Sequence, residues 1–208
     1  MPIPSRAVLV EPAPPGAATL GVWVFLGSEL MLFAPLLLAY VVCRDYHPDG
    51  FAAASRLTDF TLGTLNTVIL LSSSMTMALA VHASGDGALR NARRWLWLTA
   101  ALGLLFLILK GVEYRHDWQP ALVPGLRFAP TGALAPAMRL FFLLYFGMTL
   151  LHALHLCVGI ALTVWLAAGA PALARRCELA GLYWHFVDLL WIFLYPLLYL
   201  VGRSGGTA

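Results

Sequence analysis

Five long apolar segments, separated by shorter polar connections, set the pattern of residues along the chain. They run over about 20–42, 60–81, 95–112, 138–168 and 182–201. Each is long enough to cross a bilayer as a helix, which takes about 20 mostly apolar residues. A backbone in hydrocarbon must also satisfy its own hydrogen bonds, as a helix does. The pattern predicts an all-α integral membrane bundle of five transmembrane helices over residues 20–202, preceded by an extended N-terminal tail over residues 1–19.

Composition agrees with a membrane protein and excludes other classes. The chain is 61% hydrophobic and 11% charged, whereas a soluble domain carries roughly 25% charged residues. Its formal net charge of +3 is too small to indicate nucleic-acid binding. Cys43, Cys157 and Cys177 lie far apart, with no CxxC or Cys/His spacing. They therefore predict no thiolate metal site.

Arginines cluster in two short connections. Arg90, Arg93 and Arg94 lie between the second and third segments, and Arg175 and Arg176 between the fourth and fifth. Five spans place both connections and the N-terminus on one side of the membrane. Short loops rich in arginine face the cytoplasm. We expect a multi-pass protein of the bacterial cytoplasmic (inner) membrane with a cytoplasmic N-terminus.

The other connections are predicted to be irregular. Between the first two spans, the segment 43–59 is polar and reads as a loop. Thr58 or Asp59 can cap the helix that follows, because a short oxygen-bearing side chain accepts from free backbone N–H groups. The connection before Pro136 is rich in proline and predicts no regular element.

Ionisable side chains lie within three of the spans. Glu29 is in the first span, His152 and His155 share a face of the fourth, and His185 and Asp188 share a face of the fifth. A charge in hydrocarbon costs at least about 2.5–3.5 kcal/mol, so such residues need partners and are functional candidates. We expect these five to compensate one another, either as structural ties or as a group that holds protons.

The second and third spans also carry polar residues, for which we expect roles in helix packing or at the membrane interface. Asn66 and Ser73 share a face of the second span, which suits interhelical hydrogen bonds or a polar pathway. At the end of the third span, Lys110 can extend its ammonium to the interface. Glu113 is either a solvated charge at the helix end or a member of a buried pair.

Redox and hydrolytic chemistry have little support in the sequence. A haem held by His152 or His155 together with His185 is disfavoured, because Trp184 and Phe186 crowd the position. No Ser/His/Asp order indicates a nucleophile, and no glycine-rich loop indicates a phosphate site. The sequence predicts no catalytic and no metal-binding residue.

Four stretches, in this order and spacing, resemble subunit III of the haem–copper oxidases, which include cytochrome c oxidase and the related quinol oxidases. The resemblance extends from about Gly21 to Arg203. The pair of motifs in the last two spans is the most specific part. The stretches are Ser28–Phe33, Asn66–Thr67 with Ser72–Ser74, Lys110–Tyr114, and His152–Gly159 with Tyr183–Trp191.

The resemblance implies an accessory subunit of the five-helix kind that binds no haem or copper itself. Haem and copper would belong to partner subunits. The chain would pack directly against the catalytic subunit I, in a complex with subunit II and other subunits, and would support proton uptake and hold phospholipid in a cleft. In the family the glutamate at Glu29 faces that cleft. The remaining family positions carry over to Lys110, Glu113, Tyr114, His152, His155, His185 and Asp188.

The sequence also departs from the family pattern. Leu150, Leu151 and Ala153 surround the histidine pair where glycine or phenylalanine is usual. The phrases Leu62–Thr67 and Leu189–Ile192 equally resemble a five-helix branch that accompanies nitric oxide reductases, which is the alternative function. A stand-alone proton-coupled transporter would show inverted repeats, and the sequence has none.

Overall fold

A computed structural model of the protein describes residues 17–118 and 130–203, and this described part contains helices and no strand. Five helices are long and apolar enough to span a membrane, which confirms the predicted all-α, five-span fold. A sixth, short helix follows the first. The helices are α1 Ala17–Tyr46, α2 Pro48–Leu57, α3 Phe60–Gly85, α4 Leu89–Trp118, α5 Ala135–Ala167 and α6 Leu173–Tyr195, which a π-helical turn continues over Pro196–Leu200.

The helices extend beyond several of the apolar segments that predict them. Helix α4 begins at Leu89 and α6 at Leu173, because helical hydrogen bonding continues through the arginine-rich residues at the membrane surface. Residues 1–16 of the predicted tail and 119–129 of the proline-rich connection lie outside the described residues.

Helix α2 occupies the segment that the sequence analysis treats as a loop, and that interpretation was wrong. Pro48 stands in its first turn, where the missing N–H has no cost. Phe51 is buried and packs edge-on against Tyr40 and Phe141, at ring distances of 5.3 and 5.5 Å. The polar residues that indicate a loop lie around this one buried face. The predicted cap on α3 is confirmed, since the Asp59 carboxylate accepts from Leu62 N–H at 3.0 Å.

Helices α3, α4, α5 and α6 form the packed body, with α3 lying along both α4 and α6. Helix α1 is peripheral and packs on α5 and α6. Only 11% of the residues in its most apolar stretch are buried, compared with 50% of those in the corresponding stretch of α6. Most of α1 therefore presents apolar side chains to its surroundings.

The π-helical turn at the end of α6 is held by hydrogen bonds from two other helices. Pro196 has no N–H to donate, so the regular helical ladder is interrupted there. The Tyr40 hydroxyl donates to the carbonyl of Leu197, and the Ser55 hydroxyl donates to that of Leu198 at 2.9 Å. Helices α1 and α2 thereby fix the end of the last span.

Candidate functional site: polar clusters inside the bundle

A deeply buried cluster of polar side chains joins α4, α5 and the end of α6. We call Lys110, Glu113, Tyr145 and Tyr199 the lysine cluster. The Lys110 ammonium donates to Glu113 Oε2 at 2.9 Å, to the Tyr145 hydroxyl at 3.0 Å and to the Tyr199 hydroxyl at 2.5 Å. Both tyrosine hydroxyls donate to Glu113 Oε1, at 2.8 and 2.5 Å. The charges of lysine and glutamate thus face each other within a shell of donors.

Aromatic rings enclose the ammonium of the lysine cluster. Its nitrogen lies 4.8 Å from the centroid of Tyr145, 5.2 Å from Tyr199 and 5.3 Å from Trp191, within the range of cation–π attraction. Lys110 is 3% exposed and Glu113 is 0% exposed. The interfacial position expected for Lys110 was wrong, because its side chain points between helices. Of the two alternatives for Glu113, the structure has the buried pair.

The second cluster joins α1 to α5. The His155 imidazole contacts Glu29 Oε2 through Nε2 at 2.7 Å and the carbonyl of Leu151 through Nδ1 at 2.8 Å. A carbonyl only accepts, so Nδ1 carries a proton. A second proton must lie between Nε2 and the carboxyl, since two lone pairs would repel at this distance. The pair is therefore neutral overall, as an imidazolium with a carboxylate or an imidazole with a carboxylic acid.

The third cluster lies where α3 meets α6. The Ser74 hydroxyl and His185 Nδ1 are 2.8 Å apart. One residue away on each helix, the Trp184 indole donates to the Ser73 hydroxyl at 3.2 Å. Ser73 and His185 both therefore bridge helices. Ser74 was not predicted as a site residue, although it belongs to the serine run 72–74. Only the packing of α6 against α3 shows that its hydroxyl faces His185.

Three of the predicted site residues are buried without a hydrogen-bond partner among the described residues. They are Asn66, His152 and Asp188. The His152 ring packs between Phe106 and Trp191, at 5.6 and 5.0 Å. Of the five ionisable residues expected to compensate one another, the structure brings together only Glu29 and His155. His185 bonds Ser74 of α3, and the Asp188 carboxyl, one turn further along α6, lies close to the same serine.

Helix α1 leaves two apolar grooves beside the body. One, of about 450 Å³, lies between α1, α5 and α6, and Arg176 stands at its edge, 5.0 Å from the Trp165 ring. The other, of about 520 Å³, lies between α1 and α6 and is lined by residues such as Trp23 and Phe193. Within residues 17–118 and 130–203, no group of three or more His, Cys, Asp or Glu side chains is placed to hold a metal ion.

Comparison with known proteins decides the family. The family model described as cytochrome c oxidase subunit III matches residues 15–203. The chain belongs to this family. It is 33% identical to cytochrome c oxidase subunit 3 of Thermostichus vulcanus, over 91% of this chain and 90% of that protein. It is 32% identical to cytochrome c oxidase subunit 3 of Alkalihalophilus pseudofirmus, over 89% and 87% of the two chains.

A quinol oxidase subunit is related as well. Quinol oxidase subunit 3 of Bacillus subtilis is 29% identical, over 89% of this chain and 88% of that protein. The resemblance inferred from the sequence motifs is therefore confirmed. A multi-pass membrane subunit of this family works as one part of a larger complex.

Proposed function

We propose that this chain is the accessory subunit III of a proton-pumping terminal oxidase, either a cytochrome c or a quinol oxidase, and has no redox centre of its own. It stabilises the catalytic subunit I and keeps its proton uptake active during sustained turnover. The observation that carries the proposal is the family match, which covers all six helices and all three polar clusters.

The way the interior is built supports a stabilising role. The lysine cluster and the Glu29–His155 pair use their charged groups to join helices. Each ties together spans that are distant in sequence. Helices α1, α3, α4 and α5 meanwhile expose many large apolar side chains, which are available to lipid and to partner helices.

The two grooves beside α1 support bound phospholipid in the complex. Their linings are apolar, which suits acyl chains, and Arg176 at the edge of the first groove is a cation suited to a phosphate. Glu29 and His155 lie on the helices that border this groove. We propose that lipid there keeps α1 seated against the body.

We also propose that the protein lies in the bacterial cytoplasmic membrane with its N-terminus in the cytoplasm. The first turns of α4 and α6 lie at one end of the bundle and carry Arg90, Arg93, Arg94, Arg175 and Arg176. At the other end, Arg203 donates to the carbonyls of Tyr199 and Thr58, at 2.7 and 2.8 Å. Arg56 donates to the carbonyl of Gly202 at 2.8 Å. Arg56 and Arg203 are therefore explained by these hydrogen bonds to the backbone, and we give them less weight as signals of orientation in the membrane.

Affinity purification from native membranes through a tag on this chain tests the function. We expect haem, copper and an oxygen-reducing activity to co-purify. An otherwise identical complex that lacks this chain should begin turnover at a similar rate and lose activity over successive cycles. Constant turnover without the chain would contradict the supporting role.

The same purification distinguishes the alternative function. If nitric oxide reductase activity and subunits co-purify in place of oxidase subunits, the chain belongs to that enzyme. If neither enzyme co-purifies, the proposal of an accessory oxidase subunit fails.

A further inference from the structure

We infer that the seam between α3 and α6, at His185, docks a transmembrane helix of a partner subunit that carries a hydroxyl or carboxamide side chain within the hydrocarbon core. This deepens the proposed function and rests on it, because it requires that the chain works inside a complex.

The two histidines that make hydrogen bonds in this bundle differ in how completely they are satisfied. His155 engages both ring nitrogens, with Leu151 and Glu29. His185 engages only Nδ1, with Ser74. In the part of the chain that the structure describes, His185 makes no other hydrogen bond. The side chain is partly exposed, so Nε2 is accessible from outside the protein.

The depth of His185 excludes lipid as its partner. The last span extends over Leu173–Leu200, but its first two turns carry Arg175, Arg176 and Glu178, so its apolar part begins at about Leu179, six residues before His185. With a rise of about 1.5 Å per residue, His185 lies about 9 Å inside that boundary. The hydrocarbon core is about 30 Å thick, so the imidazole lies within it. Acyl chains offer no hydrogen-bonding group there, and an unpaired polar group in hydrocarbon is costly.

The surface around His185 suits a helix. Leu71 and Met75 of α3 and Leu189 and Ile192 of α6 are exposed on either side of the seam. Association in a membrane depends on van der Waals packing and interhelical hydrogen bonds rather than on the hydrophobic effect. This surface offers apolar side chains for packing and, at its centre, Nε2 of His185 for an interhelical hydrogen bond.

A second polar pair lies along the same seam. The Thr64 and Tyr195 hydroxyls are 2.7 Å apart and only partly buried. They lie ten residues along each helix from Ser74 and His185, which is about 15 Å. Polar atoms at two depths of one seam indicate a partner that follows the seam across the membrane, as a spanning helix does.

The partner side chain must be able to bond Nε2 of His185 in either tautomer of the imidazole. Ser74 can donate to Nδ1 or accept from it, so Nε2 is either a donor or an acceptor. Serine, threonine, asparagine and glutamine side chains both donate and accept. One of these side chains on the partner helix can hydrogen-bond Nε2 of His185 in either tautomer.

Photo-crosslinking in the intact complex tests which face docks. Benzoylphenylalanine placed at Met75, which is 62% exposed beside the seam, should attach to another polypeptide of the complex. The matched control is the same group at Leu104 on α4, which is 52% exposed. We expect adducts from Leu104 to contain lipid. If Met75 yields only lipid adducts while oxidase subunits co-purify, the inference is wrong but the proposed function stands.

Substitution of the imidazole tests the hydrogen bond itself. His185→Phe removes both ring nitrogens, whereas His185→Gln keeps a donor and an acceptor. We expect the fraction of His185→Phe chain that stays with the complex in mild detergent to fall about threefold or more, as for loss of one interhelical hydrogen bond. His185→Gln should be retained like the parent. Equal retention of both variants would overturn the polar contact, and the Met75 adduct can be read even if His185→Phe fails to fold.

Discussion

At the scale of single residues, two buried ionisable pairs in this bundle are matched at short range, whereas Asp188 is buried with no hydrogen-bond partner among the described residues. The Lys110 ammonium and the Glu113 carboxylate share two tyrosine hydroxyls, and Glu29 shares a proton with His155. Removal of one partner from such a pair costs more than removal of both, because it leaves an uncompensated group in a low-dielectric interior.

The lysine cluster provides the sharpest test of this rule. Lys110→Met keeps an unbranched side chain, one atom shorter, and leaves the Glu113 carboxylate without its cation. We expect a loss of about 3–5 kcal/mol in stability, measured as a lower unfolding temperature of the purified complex. The double variant Lys110→Met/Glu113→Gln should recover much of that loss. Equal unfolding temperatures for the single and double variants would contradict the pairing.

Glu29 and His155 allow a matched pair of substitutions. Glu29→Leu leaves Nε2 of His155 without a partner, at a cost of about 1–3 kcal/mol. Glu29→Gln can donate its amide N–H to that nitrogen, so its effect should be small. Thermal unfolding of the two variant complexes measures the difference. A Glu29→Gln variant as unstable as Glu29→Leu would show that the carboxyl has another role.

At the scale of elements, the end of α6 depends on side chains from elsewhere. Its π-helical turn receives hydrogen bonds from α1 and α2, and it delivers Tyr199 to the lysine cluster. Helix α3 can lie against the Tyr199 ring only because residue 63 of α3 is a glycine. A Cβ atom added there would lie 2.7 Å from a ring carbon of Tyr199.

Gly63→Ala should therefore destabilise the complex by about 1–3 kcal/mol, since the tyrosine ring is held on both sides and overpacking forces a backbone shift. Gly111→Ala is the control, because a Cβ atom there meets nothing within 4 Å. That control should be neutral or slightly stabilising. Unfolding temperatures of the two alanine variants give the measurement, and similar values would argue against a tight α3–Tyr199 contact.

At the scale of the whole molecule, orientation follows from the placement of arginine. Alkaline phosphatase is active only outside the cytoplasm. Its fusion to the C-terminus should be active, and its fusion within the connection 168–172 should be inactive. The reason is that the arginine-rich first turns of α4 and α6, next to the short connections that precede them, stay on the cytoplasmic side. The reverse pattern of activities would show that the N-terminus lies outside.

Several features were predictable from particular residues. The five spans follow from uninterrupted apolar runs, and the Asp59 cap follows from its position before α3. Helix α2 was missed because ten residues with Pro48, Asp49 and Gly50 look like a turn when the surface that covers Phe51 is unknown. Tyr145 and Tyr199 were missed as ligands of Lys110 because they lie 35 and 89 residues away in sequence.

By itself, the sequence determined that this protein is a five-span helical bundle with ionisable groups in its interior. That information is local, since hydrocarbon imposes helices on long apolar segments and a helix shows which residues share a face. Only the tertiary structure decided which groups meet: Lys110 with two tyrosines, Glu29 with His155, and Ser74 with His185. The periodicity of one helix indicates a direction, but the neighbour found in that direction depends on how all the helices pack.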